Sequence, residues 1–395
     1  MLKNVCFVFC FLGMLSELYP KVKNSFEGSI NPGFSYDTNF YKNHSELAAT
    51  TLSLETNLKL KTRFTRNTST RLEYNFGLEK YTDADKEFDF TAKEEDYYSH
   101  RLSIQLKQRL GELFLLDIPC GYGIFQQPNY ENETLIEGTA TTIRYNSQSF
   151  NFTPEINYYF LDHTTLKAGY LYNEDIYKDY DLDSKSNGIM LKISQDISLS
   201  SYLDISGLAQ TKNYSERRIY KSTDTTSKGA FTDEERQDKI TNIGLSFTKN
   251  ISKNLKFALS PGYQKLDSNA NWPELYRISS TAVSRKLKDD FYDYTRVGGA
   301  VNVGWGALKG TLLNLSGSYY QTKYDERLAK DEYYYYKKPE EKRLDKKNTL
   351  SLNVTQDIAK NVAAKFGYTY QKNSTNDFIY DYESNKFSTS LMCWF

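Results

Sequence analysis

The chain has 395 residues, 25% of them charged, a mean hydropathy of −0.66 and a formal net charge of zero. It holds no run of about eighteen apolar residues, which excludes a transmembrane helix, and its neutral balance makes no case for nucleic acid as a partner. The 34 tyrosines and 23 phenylalanines set against 8 prolines favour strands instead.

Residues 1–20 read as a secretory signal. Lys3 supplies the positive start, and Val5 to Leu15 supply an apolar core of the usual length. Ser16 is the best small residue for cleavage, and Cys10 follows Phe7, Val8 and Phe9, a poor lipidation context. Removal of the signal leaves Cys120 and Cys393, too far apart in sequence to make a disulfide framework. Residues 25–395 read as one domain.

From residue 25 onward the chain alternates apolar and polar residues, and alternate residues of a strand lie on opposite faces. Reading that parity gives an all-β chain of about sixteen antiparallel strands. They fall near 25–37, 49–63, 69–82, 98–110, 112–126, 141–160, 164–176, 187–198, 201–213, 240–252, 254–266, 292–306, 311–324, 348–358, 361–373 and 385–395. Small changes of boundary give fourteen or eighteen. The parity slips near Ser147, which predicts a bulge in the sixth strand. Many strands run well past the usual 5–6 residues of soluble sheets and reach the roughly 9–11 that cross a bilayer.

One face of these strands is greasy, as in Leu52, Leu54, Leu58 and Leu60, or Phe150, Phe152, Ile156 and Tyr158. The other is polar, as in Ser53, Glu55, Asn57 and Lys59. Alternation of this kind hides apolar surface in a sequence that averages as soluble. Tyr81, Tyr172, Tyr319 and Tyr370 lie toward strand ends, where they would form aromatic girdles. A hairpin unit recurs at 191–210, 245–264 and 352–371, each a strand, a short polar turn and a strand. Tight turns alternate with eight longer loops, so both termini and all short turns share one side. The longest loops are expected near Thr82–Tyr97, Thr211–Lys239, Leu266–Phe291 and Lys323–Lys346.

Catalysis finds little support. The three histidines are His44 in a long loop, His100 at a strand start and His163 in a tight turn, a spread that suits neither a metal site nor a triad. The chain is therefore read as a non-enzyme with no cofactor. The polar parity is the candidate functional surface. It selects the basic residues Lys59, Lys61, Lys107, Arg109, Arg144, Lys167, Lys192, Lys256, Arg296 and Lys365, and the acidic residues Glu27, Glu55, Glu73, Glu79, Glu155 and Asp204. Inside a barrel such charges face water and tune which solutes pass, whereas Lys or Arg at the lipid midplane costs roughly 2–4 kcal/mol. They either set a weak anion preference or pair across strands as braces. The Trp272-Pro273 loop and the loop holding Tyr333 to Tyr336 are the candidates to fold inward as a constriction, and the tyrosines could stack on sugar rings.

The chain ends on a strand in which Phe387, Leu391, Cys393 and Phe395 share one parity. That ending resembles the terminal insertion signal of bacterial outer-membrane β-barrels, and with the alternation it makes residues 25–395 resemble Gram-negative porin-type barrels. The opening segment 28–39 also looks like the start of β-barrel porins linked to surface polysaccharide systems. The resemblance implies a bacterial outer-membrane location, with the short turns in the periplasm. It implies outer-membrane lipid, lipopolysaccharide and the barrel-assembly machinery as partners, and passive diffusion of small hydrophilic solutes as the function. The alternatives are a barrel for polysaccharide export or uptake, and a plugged structural or adhesive surface barrel. Porins often form homotrimers, although no distinct interface stripe stands out here.

Overall fold

The computed structural model describes residues 23–39, 48–83, 96–126, 132–136, 139–143, 146–177, 182–223, 226–277, 283–288, 290–331, 336 and 340–395. Sixteen antiparallel strands form one sheet. They are β1 (Lys23–Asp37), β2 (Ala49–Arg63), β3 (Thr68–Asp83), β4 (Tyr97–Leu110), β5 (Phe114–Gln126), β6 (Ser147–Phe152 continued by Glu155–Leu161), β7 (Thr164–Tyr177) and β8 (Ser184–Ser198). The second half consists of β9 (Ser201–Thr223), β10 (Thr226–Asn250), β11 (Leu255–Ser268), β12 (Tyr294–Leu308), β13 (Thr311–Leu328), β14 (Lys342–Ala359), β15 (Val362–Thr375) and β16 (Tyr382–Trp394). Each strand pairs with its sequence neighbours, and β1 pairs with β16 from Ser29–Trp394 to Asp37–Lys386, so the sheet closes into a barrel. Closure removes every edge, as lipid requires.

Solvent exposure fixes which parity faces out. Along β8, Ile189, Leu191 and Ile193 are 63%, 60% and 46% exposed, while Ser184 and Ser186 between the same neighbours are buried. The same apolar face continues through Leu52, Ile104, Phe150, Val301, Leu352 and Phe366. Polar residues therefore face the interior, where they reach water or one another.

Turn chemistry separates the two ends. At the short-turn end, Gly111 and Gly310 take left-handed φ angles of 69° and 76°, a conformation that favours glycine. The 64–67 turn is held by the Thr65 hydroxyl, which accepts from the N–H groups of Asn67 and Thr68. At the long-loop end a carboxylate one residue ahead of the returning strand accepts an N–H at or near the end of the outgoing one. Asp96 takes Tyr81 N–H at 2.7 Å, Asp183 takes Tyr177 N–H at 2.6 Å and Asp293 takes Ser268 N–H at 2.6 Å. These donors would otherwise end a strand unpaired.

Several expectations need correction. No bulge lies near Ser147, because β6 keeps one register against both neighbours from Ser147 to Tyr158. The interruption is at Thr153-Pro154, where proline offers no N–H to the ladder. Residues 141–143 belong to a separate hairpin, Asn132–Ile136 with Thr139–Ile143, not to the sixth barrel strand. The 211–239 stretch is not a loop but the outer part of β9 and β10, a hairpin running far past its neighbours. Beyond the membrane both faces meet water, so the apolar alternation that marks a strand disappears there. The 266–291 stretch contains a second hairpin, Trp272–Arg277 with Val283–Lys288. Tyr81 faces inward, with its hydroxyl on Glu79, and does not join the girdle. Residues 1–20, His44 and Tyr333 to Tyr335 lie outside the described residues.

Candidate permeation pathway

Register places the predicted inward set on the interior face, except Arg144, which lies outside the described residues. About half of its charges pair, near the short-turn end and in mid-wall. Lys61 reaches Glu27 at 2.8 Å, Lys107 reaches Asp117 at 3.3 Å, Lys192 reaches Asp204 at 3.0 Å, and Lys167 pairs with Glu155. Glu73 takes Arg71 and the Asn57 amide. Asp117 also accepts both hydrogen bonds of the Gln105 amide. The guanidinium of Arg109 lies 6.0 Å from the ring centre of Tyr159. Lys59, Lys256 and Lys365 have no ion pair among the described residues. Lys59 stands directly between Glu27 and Glu73 in the register, and Glu55 lies four residues away on the same strand, on the same face.

A further cluster at the long-loop end escaped the sequence reading. Arg236 forks onto Asp238 with bonds of 2.9 and 2.8 Å and lies 3.8 Å from the ring centre of Tyr292 and 4.9 Å from that of Tyr214. Arg343 forks onto Asp345 at 2.8 and 2.7 Å and lies 3.5 Å from Tyr380 and 4.9 Å from Tyr324. Between them Arg327 donates to the Tyr380 hydroxyl at 2.8 Å and stacks on Phe291. The two forks are copies of one device. In each, an asparagine just past the next strand but in register holds the residue between Arg and Asp: Asn269 accepts Gln237 N–H and donates to the Glu235 carbonyl, and Asn376 does the same for Leu344 and Lys342. The signal was present as Arg-X-Asp on an inward parity, followed by Asn at 269 and 376.

Titration at this end follows burial. Desolvation, aided by the Asp290, Asp267 and Asp325 charges, raises the Asp293 carboxyl to about 6 against the opposing Ser268 N–H. Burial also raises Asp377, which caps the short 3-10 turn Phe378–Tyr380, while Arg343 opposes the shift.

Below the cluster, one straight row of cross-strand partners runs Met190, Leu208, Asn242, Gln264, Arg296, Thr322. The row beneath it is small: Ser206, Gly244, Gly262 and Gly298, ending at Tyr320. The missing side chains leave a recess of about 430 Å³ in the wall.

His100 bonds the Tyr74 hydroxyl at 2.8 Å on the outer face, and His163 sits in the 162–163 turn at the opposite end. Cys120 and Cys393 are both free. Phe387, Leu391, Cys393 and Phe395 share the outward face of β16. Phe387 packs on Tyr368 and Phe395 on Phe26, and Phe395 exchanges two backbone hydrogen bonds with Gly28.

A closed sixteen-stranded barrel with a greasy outer belt and a polar interior is a porin-type outer-membrane β-barrel in fold. No family model matches the chain, and no curated protein matches it. Among solved structures, the outer-membrane OmpT of Vibrio cholerae matches at 10% identity with a TM-score of 0.50, over 95% of this chain and 98% of that one. The outer-membrane channel DcaP of Acinetobacter baumannii matches at 10% identity and a TM-score of 0.49, over 95% and 98%. An anion-selective porin from Comamonas acidovorans matches at 10% identity and 0.47, over 95% and 100%. The likeness is one of fold.

Proposed function

We propose that the barrel is a passive channel for small hydrophilic solutes across the outer membrane. The observation that carries this reading is the interior face: sixteen strands turn charged and amide side chains inward, and barrels of about sixteen to eighteen strands enclose an aqueous lumen. Lys61, Lys107, Lys167 and Lys192 are neutralised by carboxylates while Lys59, Lys256, Lys365 and Arg296 are not, so the channel favours anions only weakly, through those four. The ending Phe387, Leu391, Cys393 and Phe395 acts as the signal that the barrel-assembly machinery reads. Planar bilayers carrying the refolded barrel test the proposal. Salt-proportional conductance steps with a reversal potential slightly toward anions support it, and silence from a properly folded barrel sinks it.

The long-loop cluster favours a second reading, uptake or export of a saccharide chain. Tyr214, Tyr292, Tyr324 and Tyr380 line the interior rim, where rings could slide along sugars. Liposome swelling faster with maltooligosaccharides than with sucrose would favour it over general diffusion.

A further inference from the structure

We infer that the mid-wall recess is a binding subsite for a small organic carboxylate with a hydroxylated body, with Arg296 as its anchor. The inference rests on the channel reading and adds a ligand class to it.

Arg296 differs from its neighbours in what holds it. Arg236 and Arg343 are each neutralised by a forked aspartate, and Lys167 and Lys192 by a carboxylate. Arg296 has only neutral acceptors: Nε donates to the Thr322 hydroxyl at 2.9 Å and Nη1 to the Gln264 carbonyl oxygen at 3.3 Å. Tyr294 flanks the guanidinium at 5.2 Å. These contacts fix the fork while leaving its charge uncompensated and its Nη2 without a partner among the described residues. A rigid, uncompensated guanidinium is suited to a carboxylate, which takes two parallel N–H bonds.

The space beside it is also shaped. A Cβ on Gly262 would meet nothing nearer than the Ile243 carbonyl oxygen at 3.6 Å, so that position is open. Gly298 is closed, because Tyr320 and the Tyr319 carbonyl already occupy the place of its Cβ. The recess thus has an apolar end at Tyr320, amides at Asn242 and Gln264 to meet hydroxyls, and one cation. Phosphate alone would leave the recess mostly empty, and a neutral sugar would leave Arg296 without its partner.

The test uses the refolded barrel with glucuronate as probe and glucose as its uncharged counterpart, read both as block of the ion current and by calorimetric titration in detergent. Glucuronate should block and bind saturably, and glucose should not. Arg296→Gln should weaken glucuronate about tenfold, the loss of one charge-assisted contact, while the channel still conducts. Gly262→Leu should abolish the effect by filling the recess. Equal binding by wild type and both variants, equal binding of glucose, or no saturable binding by the conducting barrel would overturn the subsite. Saturable binding lost in both variants, but without any conductance, would keep the subsite and sink the channel.

Discussion

Lys107 and Arg343 both face the interior beside an aspartate, one near the short-turn end and one at the long-loop rim. Lys107 is 44% exposed and shares Asp117 with the Gln105 amide. Arg343 is 5% exposed, pressed between two tyrosine rings, with its fork on Asp345. The first arrangement is a wet brace, in which water competes for both charges. The second is a desolvated fork, in which each charge depends on the other. The position of an ion pair along the barrel thus decides whether it acts as a replaceable strut or as part of the rim's core.

That contrast predicts unequal costs. Arg343→Ala should destabilise the barrel by about 3–5 kcal/mol, because it strands a buried carboxylate. Arg236→Ala should cost less, since each aspartate keeps a distant tyrosine hydroxyl, Tyr214 on Asp238 and Tyr324 on Asp345, but Asp238 also keeps the Ser268 hydroxyl at 2.6 Å. Urea unfolding in detergent, read by heat-modifiable gel mobility, would rank the two, and equal losses would refute the argument. Gly298→Ala should cost about 1–3 kcal/mol by overpacking against Tyr319 and Tyr320, with Gly262→Ala near neutral on the same assay. Lys107→Gln should shift stability by roughly 1 kcal/mol or less, because Asp117 keeps its amide partner. A further effect is in pH. Asp293 holds its proton up to about 6 in the folded rim and only to about 3.9 when unfolded. Its contribution is therefore full below about pH 4 and lost as pH rises through 6. Asp293→Asn should remove that part of the slope, measured as the difference between variant and wild-type midpoints at pH 4 and pH 7.

The membrane-spanning part of the fold was legible because lipid imposes a strict period of two. Strands such as 49–63 and 164–176 were read within a residue of their observed ends. The period stops informing where both faces are wet, which is why the outer halves of β9 and β10 read as loop. Parity also separates inward from outward only when the strand is in frame: position near a strand end suggests a girdle role for Tyr81, but it shares the inward frame of Glu73 and Glu79. The rim cluster draws on residues from 214 to 380. Its members meet through register, a property of paired strands that no window of sequence contains. The recess was hidden for a related reason: Gly244, Gly262 and Gly298 are ordinary strand glycines until three strands are aligned.

The seam between β1 and β16 joins residues 349 to 365 positions apart, from Asp37–Lys386 to Ser29–Trp394, and is stitched at its tip by the Gly28–Phe395 pair. Until that last strand emerges, every partial sheet carries two open edges that hydrocarbon cannot satisfy, and the contacts that close it are the slowest kind to find. Hydrocarbon therefore favours the closed sheet over any open one, and the Gly28–Phe395 pair is the stop of that zipper.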